Sequence, residues 1–83
     1  MRLRNDCSVL SLRGKHLLTL ADGRSFEVNE SFAFLWKAAA AAGEFTAETL
    51  AEALLSEYEL SSQDALNEAS ETIALWKQYS LTE

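Results

Sequence analysis

The sequence predicts an α+β fold: a three-stranded antiparallel β-meander followed by three α-helices. Three observations lead there. Up to Val28 the apolar residues come in short runs that alternate with polar ones, the period-2 pattern of half-buried strands. Glycine-bearing breaks, Arg13-Gly14-Lys15 and Ala21-Asp22-Gly23, divide that region into three runs. From Asn29 onward the period changes to that of a helix, with Phe32, Leu35, Trp36, Ala39 and Ala40 on one side.

The first run is Val9–Leu12, the second His16–Leu20 and the third Arg24–Val28. Short turns make them neighbours in one sheet. The inward face is expected to carry Leu10, Leu12, Leu18, Leu20, Phe26 and Val28. So small a sheet needs a helical layer over that face.

Asn29 is the expected N-cap of helix one, which runs to about Ala41 and stops at Gly43. Thr46 caps helix two, with Phe45 before it able to pack on Leu50. Its buried stripe reads Ala47, Leu50, Ala51, Leu54 and Tyr58. Ser61 opens helix three, with Asp64 in a capping-box position. Ala65, Leu66, Ala69, Ile73 and Trp76 form its stripe, while Phe34 and Leu75 fall off the stripes of their helices. The order βββααα suggests a winged-helix-like module with its hairpins at the front.

Eighty-three residues make a single domain, 1–83, with 48% hydrophobic content, enough for a thin core. A lone Cys7 has no partner for a disulfide, and no secretory signal is visible, so a reducing, cytoplasmic setting is expected. No apolar run approaches the roughly 20 residues of a membrane span. The net charge of -6 disfavours a nucleic-acid partner. Five of the seven basic residues lie in the first 24 positions, and the C-terminal half is acidic.

Catalytic patterns are weak. His16 is the only imidazole, and nothing around it repeats a nucleophile spacing. Three isolated glycines make no phosphate loop, and one His with one Cys makes no metal site. No cofactor and no catalytic role are expected. The feature that invites a function is the free edge of the third strand, which can capture an extended peptide by strand addition or must otherwise be protected.

Val28-Asn29-Glu30-Ser31, followed by Ala33, Leu35 and Trp36, resembles the "LNE(S/T)-x-A-x-hydrophobic-W" passage of the PqqD family. The resemblance continues in Phe45–Ala51, Leu54–Leu60 and Ala65–Glu68, and covers Val9 to Leu81. One departure is Ser80-Leu81, where the family usually has Gly-Leu. The family comprises winged-helix-like RiPP recognition elements. The resemblance implies a non-catalytic adaptor that holds the leader of a ribosomally made precursor peptide. It presents that leader to a modifying enzyme, often of the radical SAM type, or to a leader protease. Carried onto this sequence, the peptide site is Arg24, Ser25, Phe26, Glu27 and Val28 on the strand. On the third helix it is Leu66, Ser70, Ile73, Ala74 and Lys77. Arg24 and Lys77 would add positive charge there.

Two alternatives have their own signatures. A winged-helix DNA-binding protein would read with helix three, but Asp64, Glu68 and Glu71 outnumber Lys77 on it. A self-associating module, a homodimer, would use the free sheet edge.

Overall fold

Two turns of different length set the sheet. In the computed structural model, which describes Met1–Glu83, β1 is Ser8–Leu12, β2 is Lys15–Thr19 and β3 is Ser25–Val28. They form one antiparallel sheet in the order β1-β2-β3. Arg13 and Gly14 hold φ of 54° and 80°, the positive values that a two-residue hairpin loop of type I′ requires at both positions. The second turn is longer. Gly23 N–H donates to the Leu20 carbonyl at 3.0 Å, and Leu20 N–H donates to the Arg24 carbonyl at 2.8 Å.

The first turn overturns one expectation. Closing β1–β2 on Leu12 opposite Lys15 places Val9 opposite Leu18 and Leu10 opposite Leu17. Leu18 is buried, so Val9 shares the core face and Leu10 and Leu12 point outward. They are 59% and 62% exposed. Both β1 and β2 carry apolar residues of either parity, so alternation could not choose a face and the loop length did.

The helices are α1 (Glu30–Ala42), α2 (Ala47–Glu57) and α3 (Ser62–Gln78). Each begins where its cap demands. Asn29 Oδ1 accepts from Phe32 N–H at 2.8 Å. Thr46 and Thr49 form a reciprocal capping box, each hydroxyl accepting from the other's backbone N–H. Ser61 accepts from Asp64 N–H at 3.1 Å. α2 ends before Tyr58, which leaves the expected buried stripe and instead meets Phe34 edge-on at 5.6 Å. None of the helices is long and apolar enough to cross a membrane.

α3 ends in a Schellman motif. Leu81 N–H donates to the Trp76 carbonyl at 2.8 Å, and Ser80 N–H to the Lys77 carbonyl at 3.1 Å. Ser80 takes the left-handed conformation, φ 58°, that glycine adopts without strain. The motif turns Leu81 into the core, where it is fully buried. The N-terminal segment then closes this end. Phe45 N–H donates to the Met1 carbonyl, Arg4 N–H to that of Leu81, and Glu83 N–H to that of Arg2.

One core joins sheet and helices. It includes Leu18, Leu35, Trp36, Phe45, Leu50, Leu54, Ile73, Trp76 and Leu81.

Two measurements check this description. Ser80→Gly should raise unfolding free energy by about 0.5–1 kcal/mol, the left-handed penalty of an L-residue less the added flexibility of glycine. Unchanged or reduced stability in urea would refute the Schellman assignment. Leu18→Ala should cost about 2–5 kcal/mol, whereas Leu12→Ser should stay within about 0.5 kcal/mol. The reverse ranking would mean that β1 faces the other way.

Candidate functional site

β3 lies at the edge of the sheet, with β2 on one side and no strand on the other. The bond from Leu20 N–H to the Arg24 carbonyl fixes which backbone groups are free. In an antiparallel pair the backbone groups of successive residues point to alternate sides. Arg24, Phe26 and Val28 therefore turn theirs to β2, and Ser25 and Glu27 present an N–H and a carbonyl each at the open edge.

Beside this edge is a cleft of about 360 Å³. Leu18, Leu20, Phe26, Glu27, Val28 and Asn29 line it from the sheet side. Phe32 of α1 forms its base, and Leu75 and Tyr79 bring in α3. The lining is mainly apolar, and Phe26 and Tyr79 are 47% and 57% exposed. Exposed aromatics of strand and helix in one cleft, beside unpaired backbone groups at the sheet edge, suit an extended peptide with apolar side chains.

The strand residues of the expected site border this cleft or its end. Phe26, Glu27 and Val28 line the cleft, Ser25 adds edge hydrogen-bonding groups, and Arg24 stands at the end where a smaller cleft opens. The expected helix residues do not line the cleft. Ile73 is buried in the core and Leu66 packs against it. Ser70, Ala74 and Lys77 are exposed on the flank of α3 turned away from the cleft, opposite Leu75 on the helix. The signal that could have found the cleft side is Leu75 itself. It is an apolar residue off the buried stripe, with an aromatic four residues further on.

The positive charge at this site is already partnered. Arg24 Nε donates to Asp22 Oδ2 at 2.7 Å, and Asp22 Oδ1 accepts from Arg24 N–H at 3.0 Å. These bonds, the backbone one foremost, hold the Asp22 carboxyl below the usual carboxylate range. The Arg24 guanidinium also sits 5.9 Å from the Phe26 ring centroid. Lys77 is not in the cleft wall.

His16 and Cys7 have structural surroundings. Ser11 Oγ lies 2.7 Å from His16 Nδ1 and accepts from Lys37 Nζ at 3.0 Å, tying the sheet to α1. Burial pushes the Cys7 thiol up, against the thiolate a nucleophile needs. No three His, Cys, Asp or Glu side chains converge on a point where a metal ion could sit.

Comparison with known proteins places this geometry. The structure of TbiB1 in complex with the TbiA(beta) leader peptide matches with a TM-score of 0.82 at 13% identity, over 100% of this chain and 95% of that one. Lasso peptide synthetase B1 complexed with the leader peptide matches with a TM-score of 0.78 at 22% identity, over 99% and 95%. At these identities the likeness is one of fold. No curated protein matches. The family model of coenzyme PQQ synthesis protein D (PqqD) spans residues 9–81, from the first strand through the Schellman turn, and the chain belongs to the PqqD family.

Proposed function

We propose that this protein is a non-catalytic adaptor that binds the leader segment of a ribosomally synthesised precursor peptide and presents it to a maturation enzyme. One observation carries the reading: the open edge of β3 borders an apolar cleft that ends on α3. The leader adds as a fourth strand, bonding to Ser25 and Glu27 through its backbone. Its alternate side chains enter the cleft between Phe26, Val28, Leu75 and Tyr79. Two solved structures of similar fold are complexes with leader peptides, which supports this use of the cleft.

Backbone bonds give such a complex affinity, and side-chain fit gives it selectivity. Here the fit is mainly apolar, because Asp22 neutralises Arg24. The maturation enzyme is a radical SAM enzyme or a leader protease. It acts in the cytoplasm, where Cys7 stays reduced. A DNA-binding role is disfavoured by Asp64, Glu68 and Glu71, which line a second cleft between α2 and α3 with no basic residue among them.

The deciding experiment is a titration of isotope-labelled protein with the leader peptide encoded nearest to it. Amide shifts should concentrate on Ser25–Val28, Leu75 and Tyr79. Absence of shifts there, with binding intact, would remove the cleft from the mechanism.

The backbone claim has its own check. Glu27→Pro deletes a donor that has no partner in the free protein, so stability should change little while leader affinity falls about tenfold or more. Glu27→Ala should leave affinity within about threefold. Equal losses in both variants would mean that the side chain, not the strand edge, holds the peptide.

Arg24→Ala should change affinity for a leader with an acidic residue at that end by no more than about fivefold at neutral pH, since exposed pairs contribute about 0–1 kcal/mol. A loss of about a hundredfold would show that Arg24 leaves Asp22 for the peptide.

A further inference from the structure

The peptide cleft does not end at Phe26. A second, smaller cleft of about 170 Å³ continues it, and the two share Leu20 and Tyr79 as wall. Its character is different. The first is lined mainly by apolar side chains, whereas the second brings Arg4 of the N-terminal segment together with Asp22 and Arg24 of the β2–β3 turn. Ser80 lines it from the end of α3.

The charges there are paired off within the chain. Arg4 holds Asp6 through Nε and Nη2, at 3.1 and 2.7 Å. Arg24 holds Asp22 through Nε alone, which leaves its Nη groups unengaged. Asp22 accepts one bond on each oxygen, and a carboxylate has room for about four. The second cleft thus offers spare donors and spare acceptors together, with little net charge.

We propose that this second cleft is a polar subsite that reads a carboxamide side chain, Asn or Gln, of the leader. The proposal rests on the strand-addition reading above and adds to it which residue of the leader is selected. On an added strand every second side chain faces the cleft. The Arg24 guanidinium lies 5.9 Å from the Phe26 ring centroid, so Arg24 extends over the same face as Phe26. A leader with apolar residues beside Val28 and Phe26 therefore sets its next inward side chain beside Arg24.

A carboxamide suits that place because its oxygen accepts from Arg24 Nη while its NH2 donates to Asp22. A carboxylate can use only the guanidinium, and it meets the negative charge of Asp22. An ammonium can use only Asp22, and it meets Arg4 and Arg24. An aliphatic side chain displaces water from both partners and replaces none of its hydrogen bonds.

The test uses the leader encoded nearest to the protein, in versions that differ only at the residue that nuclear Overhauser contacts place beside Arg24. Asn, Gln, Asp, Glu, Leu and Lys are compared there. The better carboxamide version should bind about three- to tenfold tighter than the best of the others. Asp22→Asn keeps an oxygen for Arg24 N–H and removes the negative charge, so in that variant the order should invert, with the Asp or Glu version tightest. The series on the unaltered protein decides alone if the variant fails to fold. Versions within about twofold of one another, with the Ser25 and Glu27 amides protected from exchange in every complex, overturn the subsite and leave strand addition intact. An acidic version that binds tightest to the unaltered protein also overturns it, as does a folded Asp22→Asn variant that keeps the original order. Failure of the original leader to protect Ser25 and Glu27 overturns strand addition itself, and the subsite with it.

Discussion

The indole of Trp76 meets Phe32, Trp36 and Phe45 edge-on, with ring centroids 6.0, 5.5 and 5.6 Å away. These rings come from α1 and from the link before α2, and the indole from α3, so one side chain joins most of the helical layer. Each edge-to-face pair contributes about 0.5–1.5 kcal/mol beyond the area it buries. The contact has a cost. Trp76 Nε1–H is buried with no hydrogen-bond partner, a loss of about 1–3 kcal/mol. Three aromatic contacts and complete burial outweigh it. In a chain of this size few other groups could, because a small domain has little interior to draw on.

The cleft follows from that packing. Phe32 touches Trp76 on one side and lines the cleft on the other. α3 is locked at its far end by the Schellman turn and by Leu81, which sets Tyr79 just before the reversal. The facing wall is a strand of four residues held to the sheet through Leu18 and its neighbours. The two walls are therefore fixed by separate contacts, and the edge between them is left unpaired. A stable core maintains an opening lined by apolar residues that the core itself does not fill.

Much of this was legible because its causes are local. Asn29, Thr46 and Ser61 announce the three helix starts through side-chain oxygens, and Gly14 announces the first hairpin. The parity of β1 was not legible, since Val9-Leu10 and Leu17-Leu18 offer an apolar residue to either face and only the loop length decides between them. On α3 the family resemblance points to Leu66, Ser70, Ile73, Ala74 and Lys77, whereas the helix residues that line the cleft are Leu75 and Tyr79. The backbone bonds that clasp Met1 to Phe45, and Arg2 and Arg4 to the chain's other end, leave no side-chain signature at all. The open edge of β3 was legible as a feature, but its pairing phase came only with the turn geometry.

The central claim is that a peptide completes the sheet at β3. Hydrogen exchange of the Ser25 and Glu27 amides, with and without saturating leader peptide, measures it most directly. These two amides have no strand beside them in the free protein, so they should exchange fast alone and become strongly protected in the complex, while Phe26 and Val28 change little. Tight peptide binding with Ser25 and Glu27 still unprotected would contradict strand addition.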